Sequence, residues 1–228
     1  MKNQKIITCW LPGWASDFSP WNDLISQRFP RWEHHFASYS DLLNHSDDLS
    51  ALPILSKSQV VIAWSLGSLI ALQNAPLWKA EQKLVLLSPF TNFCEGKGAW
   101  PPRILQMMER KVKDDPLQVL TDFSHQLGPI KPDDKKLWLQ NALEYSPTSL
   151  TLGLEYLRTQ KTDIPKHNIA AEIYLLAGEE DKIVASSLGQ NLATELKVKQ
   201  HKILPASGHW PLNNAFLDAI EFIEKQIC

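Results

Sequence analysis

The 228-residue chain is poor in cysteine, in net charge and in long apolar runs. Its three cysteines, Cys9, Cys94 and Cys228, are odd in number and far apart, which argues against a disulfide framework and for free thiols in a reducing cytoplasm. Cys9 is expected to face the core. No CxxC and no paired His/Cys spacing suggests a metal, so none is expected. The formal net charge is −2, which gives no reason to expect nucleic acid or an anionic membrane as a partner. No apolar run approaches the ~20 residues of a membrane span. The lysines and brief apolar run at the N-terminus end at Pro12-Gly13-Trp14 without a cleavage pattern, and read as a first strand rather than a signal peptide. Repeats and low-complexity segments are also missing.

What remains is an ordinary globular composition, 44% apolar and 21% charged, with nine tryptophans. The length suits one large α/β domain. Strands are expected at Lys5–Leu11, His35–Tyr39, 59–63, Lys83–Leu87, Glu172–Ala177 and His201–Leu204. Helices are expected from Ser16 or Asp17 to Phe29, from Asp47 or Asp48 to Leu55, and over 66–76, 186–197 and 211–226. Alternating strands and helices imply a mostly parallel sheet covered on both faces. Between Ser88-Pro89 and the strand at 172 the rhythm breaks into helices at 101–113, 115–127, 132–145 and 147–160. Residues 1–93 and 169–228 therefore read as the core, and 94–168 as an inserted helical lid.

The central stretch is Val60-Val61-Ile62-Ala63-Trp64-Ser65-Leu66-Gly67-Ser68, a buried β-branched run, a sharp corner and an apolar helix start. A serine on such a corner is lifted over the C-terminal edge of the sheet, and the Leu66 N–H at the helix start faces any negative charge that forms beside it. Ala63 stands where G-x-S-x-G has its first glycine and adds only a methyl group. Two more loops follow strands: Gly178-Glu179-Glu180-Asp181 and Ser207-Gly208-His209-Trp210-Pro211. An acidic turn is commonly just solvated, and a loop histidine is commonly structural. The order Ser65, Asp181, His209, each behind a strand, is nevertheless that of a nucleophile, its orienting acid and its base. Asp181 is preferred over Glu179 and Glu180 on motif position. Pro12-Gly13-Trp14 follows the first strand, where a second oxyanion donor is needed, so the Trp14 N–H is paired with that of Leu66. Trp14 and Trp64 are candidates to line an acyl pocket, with a plain core role as the alternative for Trp64.

These residues resemble an α/β-hydrolase of the carboxylesterase type. Gly13-Trp14, Trp64-Ser65-Leu66-Gly67, Ser88-Pro89-Phe90, Leu154-Glu155-Tyr156-Leu157-Arg158-Thr159 and the Gly-x-x-Asp-x-x-Val loop are similar to the pimeloyl-[acyl-carrier-protein] methyl ester esterase family. Pro12 stands where that family often has histidine. The resemblance implies an α/β-hydrolase fold, a Ser65–His209–Asp181 triad and a cytoplasmic, monomeric enzyme without cofactor. It also implies cleavage of a methyl ester from a pimeloyl chain on acyl carrier protein in biotin biosynthesis. The family's lid arginines, which meet the acidic carrier, correspond here to the region of Arg103, Arg110 and Arg158. Two alternatives accompany this expectation: an esterase, thioesterase or lactonase for other small acyl substrates, and a non-catalytic binding protein on the same fold.

Overall fold

A computed structural model describes residues 5–163 and 169–227. Residues 1–4 of the expected core, 164–168 at the end of the expected lid, and Cys228 lie outside the described residues.

Six strands form one sheet: β1 (Ile6–Leu11), β2 (Trp32–Phe36), β3 (Val60–Trp64), β4 (Lys83–Leu87), β5 (Glu172–Gly178) and β6 (Gln200–Leu204). Their spatial order is β2-β1-β3-β4-β5-β6, and every pairing is parallel. β3 is buried along its whole length, as its continuous Val-Val-Ile-Ala-Trp run demands of a strand with helices on both faces. The chain runs from β1 outward to β2, then returns past β1 to β3 and continues to β6. The sheet therefore has a topological switch between β1 and β3, and ligands of open parallel sheets bind at the C-terminal ends beside such a switch. Pro12-Gly13-Trp14 and Ser65 leave the sheet at those two ends.

The core helices are α1 (Asn22–Arg28), α2 (Tyr39–Asn44), α3 (Pro53–Lys57), α4 (Leu66–Gln73), α9 (Ser186–Glu195) and α10 (Asn214–Ile227). Several boundaries differ from the sequence expectation for local reasons. β2 lies three residues earlier than expected, because the Ser38 hydroxyl caps Asp41 N (3.0 Å) and turns Tyr39 onward into α2. The single helix expected at 47–55 is a 3-10 turn capped by Asp48 followed by α3, which Pro53 begins. Asp17 does not cap a helix through Phe29; its carboxylate accepts from Ser19 N, a 3-10 turn covers Ser19–Trp21, and α1 follows. α10 starts at Asn214 rather than Pro211, since Asn213 Oδ1 accepts the Phe216 N–H (3.1 Å) and so marks the helix entry.

Between β4 and β5 lie α5 (Pro102–Asp114), α6 (Pro116–Ser124), α7 (Pro132–Ala142) and α8 (Pro147–Thr159). Each begins with proline, whose missing N–H and fixed φ suit the first helical position. At the neck of the insertion, Asn92 and Lys161 form an antiparallel bridge and Thr162 N donates to Thr91 O (2.9 Å). Its far helices are bonded to the segment after β1 and to α2. Trp14 Nε1 donates to Leu150 O (2.9 Å), Trp138 Nε1 to Ser16 Oγ (2.9 Å), Tyr39 Oη to Ser149 O (3.1 Å) and Trp21 Nε1 to Asp134 Oδ1 (2.8 Å). These indole and phenol donors explain much of the tryptophan content: each ring buries a large apolar body while its polar tip finds a partner across the domain.

Gly67, in the first turn of α4, packs on the backbone of the β1 loop. A Cβ there would stand 2.7 Å from both Leu11 O and Pro12 O. Neither carbonyl is the end of a flexible side chain, so Gly67→Ala is expected to destabilise the protein by roughly 2–3 kcal/mol, read as a lower urea midpoint at unchanged m-value. An unchanged midpoint would mean that α4 can move away from this loop at no cost.

Candidate active site

Ser65 follows β3 directly and has φ 54° and ψ −113°, a conformation rare for a residue with a side chain. Strand on one side and helix on the other hold it there. Ser65 N donates to Leu87 O (2.9 Å), Leu69 N donates to Ser65 O (3.1 Å), and the buried Ser68 hydroxyl donates to Ala63 O (2.6 Å). Strain of this kind concentrates where surrounding structure can over-determine it. Leu66 is the first residue of α4, so its N–H lies outside the helix's own bonding ladder. The Trp14 N–H, across the switch, has no hydrogen-bond partner among the described residues.

Asp181 and His209 leave β5 and β6, the outer strands on the same side of the sheet. His209 Nδ1 lies 2.7 Å from Asp181 Oδ2, and both side chains are almost completely buried. The other carboxylate oxygen, Oδ1, accepts from Ile183 N and Val184 N at 2.8 Å each. Glu179 and Glu180 are exposed, so of the three acids in this loop it is Asp181 that meets the histidine. No hydrogen bond joins Ser65 Oγ to His209 among the described residues. With Nδ1 facing the carboxylate, Nε2 is the nitrogen left to face the serine or its substrate. Such contacts are commonly loose before substrate binds.

Close backbone contacts hold the histidine loop. A Cβ on Gly178 would lie 2.3 Å from both Ser207 O and Gly208 O, and one on Gly208 would lie 2.7 Å from Gly128 Cα. Gly128, between α6 and α7, has φ 87°. Trp210 N also donates to Leu127 O (2.9 Å). The four-helix insertion thus touches the loops on both sides of the site, the Trp14 loop through Leu150 and the His209 loop through Leu127.

Other expected positions fall differently. Trp64 is buried. Its indole N–H donates to His209 O (3.0 Å), and its ring lies 5.2 Å from the imidazole and 6.0 Å from that of Trp210. It is a buried support of the histidine loop. Trp14 is also buried; its ring meets Phe123 edge-on at 4.8 Å. Arg158 is tied within the insertion, with Nε 2.6 Å and Nη2 3.3 Å from the two carboxylate oxygens of Glu109 on α5. That contact raises the affinity of its guanidinium for its proton and leaves its charge compensated. Arg103 and Arg110 are exposed on α5 and form no ion pair among the described residues. Cys9 is fully buried, and burial pushes its thiol up to about 12, so it is no nucleophile.

The site also contains Ser88, which in the sequence marks the break in the strand-helix rhythm and part of the family resemblance, with no site role. It follows β4, is fully buried, and donates from Oγ to Asp181 Oδ2 at 2.8 Å. A signal was present: a short hydroxyl residue directly after the strand between those bearing Ser65 and Asp181. Nothing local announces which way that hydroxyl points.

A groove of about 700 Å³ opens between α5 and α6, with Trp100, Ile104, Met107, Met108, Val119 and Phe123 among its apolar walls and both bases and acids, Arg110, Lys111, Asp114 and Asp122, in its lining. Phe123 is shared with the Trp14 contact. Among the described residues no group of three or more His, Cys, Asp or Glu side chains is placed to hold a metal ion, and no helix is long and apolar enough to cross a membrane.

The chain is similar over 88% of its length, and 86% of the relative's, to a pimeloyl-[acyl-carrier protein] methyl ester esterase of Pseudoalteromonas atlantica, at 27% identity. Its fold is similar to an esterase from Exiguobacterium antarcticum, with a TM-score of 0.80 at 13% identity over 98% of this chain and 92% of that one. A hydrolase from Oleispira antarctica superposes with a TM-score of 0.77 at 11% identity, over 98% and 91% of the two chains. The sequence profile of the alpha/beta hydrolase family matches residues 10–218, and the chain belongs to that family.

Proposed function

We propose that the protein is a serine ester hydrolase. The observation that carries this reading is the buried His209–Asp181 pair at the same sheet edge as a serine held at positive φ. Ser65 Oγ attacks the ester carbonyl as His209 Nε2 takes its proton. The tetrahedral oxyanion is held by the Trp14 and Leu66 N–H groups, each donor of this kind being worth roughly 3 kcal/mol in the transition state. Collapse expels the alcohol, which leaves with the proton from His209, and an acyl-enzyme remains. Water, deprotonated by the same nitrogen, attacks the acyl carbonyl and regenerates Ser65. Every step uses protein groups and water, so no cofactor enters.

For the substrate, the reading best supported is a pimeloyl-[acyl-carrier-protein] methyl ester, on the strength of the Pseudoalteromonas relative. The four-helix insertion then serves as a lid, with its α5–α6 groove beside Phe123 as an apolar path for the acyl chain. Arg103 and Arg110, free of ion pairs among the described residues, are among the cations available to an acidic carrier protein. The internal pairing of Arg158 with Glu109 favours a second reading, a broader esterase for small acyl substrates, because it removes one cation from that surface.

The test is hydrolysis of the carrier-bound methyl ester beside p-nitrophenyl esters, with fluorophosphonate labelling. Labelling at Ser65 and rapid cleavage of the carrier-bound ester are expected. Labelling with turnover of p-nitrophenyl esters alone would keep the chemistry and discard the carrier substrate. No labelling and no turnover would leave a binding protein on this fold.

A further inference from the structure

The Asp181 carboxylate is fully buried and accepts four hydrogen bonds, which fills the lone-pair positions of an ionised carboxylate. The two backbone bonds to Oδ1 hold the acid in its loop. The two on Oδ2 are of another kind: Ser88 Oγ at 2.8 Å and His209 Nδ1 at 2.7 Å share one oxygen. Ser88 is placed to do this. Its φ is 48°, and its N–H donates to Leu176 O on the neighbouring strand at 2.7 Å. Strand β4 thus delivers a buried hydroxyl to the one carboxylate oxygen that faces the imidazole.

We propose that Ser88 is a positioning residue that sets how tightly His209 holds its proton, by sharing Asp181 Oδ2 with it. A hydroxyl donating to Oδ2 draws negative charge from the atom facing Nδ1. The imidazolium is then stabilised less than it would be by an unshared carboxylate, and His209 stays neutral, hence a base, to lower pH. The surroundings leave this control to few groups. Among the described residues the one ion pair of His209 is with Asp181. Glu179, Glu180 and Lys182 of the acid loop are exposed, β3 presents Trp64, and the insertion presents Leu127 and Gly128. Asp134 of α7 is bonded to Trp21, whose ring packs on Trp210.

The inference rests on Ser65 and His209 acting as proposed above, and its test separates the two. Ser88→Ala and Ser88→Gly both remove the hydroxyl. Alanine already takes a similar positive φ at Ala15 (52°) and Ala206 (51°), and glycine relieves the strain, so one variant covers a folding failure of the other. The readouts are the pH profile of kcat/KM on p-nitrophenyl butyrate and the pH titration of the His209 Nδ1 proton by NMR in the free protein. In both variants the acid-side midpoint should rise by about 0.5–1 pH unit, with a fall of about three- to tenfold in kcat/KM on the acid limb, well below the midpoint, and a smaller fall near neutrality. The NMR titration should move by the same amount. A rate loss with neither midpoint moved would reduce Ser88 to a packing residue and overturn the proposal. Activity that survives Ser65→Ala would instead sink the hydrolase mechanism, while the NMR titration would still decide the Ser88 question.

Discussion

Replacing Ser65 with alanine is expected to lower kcat on p-nitrophenyl butyrate by roughly 10⁵–10⁶-fold, with the melting temperature nearly unchanged. The rate loss follows from removing the only oxygen that can form the acyl-enzyme in this mechanism. The two N–H donors and the binding surface would remain, so the residual rate should still exceed that of the ester in buffer. Retained stability follows from the backbone: the bonds that hold the corner, Ser65 N to Leu87 O and Ser68 Oγ to Ala63 O, do not involve the Ser65 hydroxyl. Alanine also tolerates the required φ elsewhere in this chain. A variant retaining a tenth of the activity would show that another group is the nucleophile.

Asp181→Asn should cost about 10⁴-fold in kcat, and Glu180→Gln less than twofold. The reason lies in the four donors around the carboxylate. Ile183 N and Val184 N can only donate, so the asparagine oxygen must turn toward them and its NH₂ toward Ser88 and His209. Ser88 can rotate its hydroxyl to accept. His209 can accept only by making Nδ1 the unprotonated nitrogen, which puts the proton on Nε2, the atom that must receive one from Ser65. Asparagine thus keeps the packing and reverses the tautomer. Glu180 is exposed and has no part in this network. Comparing kcat for the two variants, with near-identical circular dichroism as the control, decides it. A silent Asp181→Asn beside a dead Glu180→Gln would reassign the acid.

Much of the architecture is legible in the sequence because its causes are local. Short apolar runs, Val-Val-Ile-Ala-Trp and Leu-Val-Leu-Leu, mark β3 and β4, and four prolines mark the starts of α5 to α8. The order of strand-end loops also brings Ser65, Asp181 and His209 to one edge of any parallel sheet, whatever the packing beneath. Boundaries slip where a single side chain chooses between bonding schemes, as Ser38 does in ending β2 early.

The tertiary structure decided what depends on partners far apart in the chain. Ser88 and Asp181 are 93 positions apart, and no periodicity relates them. Trp64 reads equally as a pocket wall or a core residue until its N–H meets the His209 carbonyl 145 positions away. Arg158 reads as a docking cation until Glu109, 49 positions earlier, neutralises it. In each case residue type fixes what a side chain can bond, hydroxyl, indole or guanidinium. Which bond it makes is settled by burial, since a polar group removed from water takes whatever partner the fold brings within 3 Å. The sequence by itself therefore determined the chemistry on offer along the edge of the sheet, and packing alone assigned each group its partner.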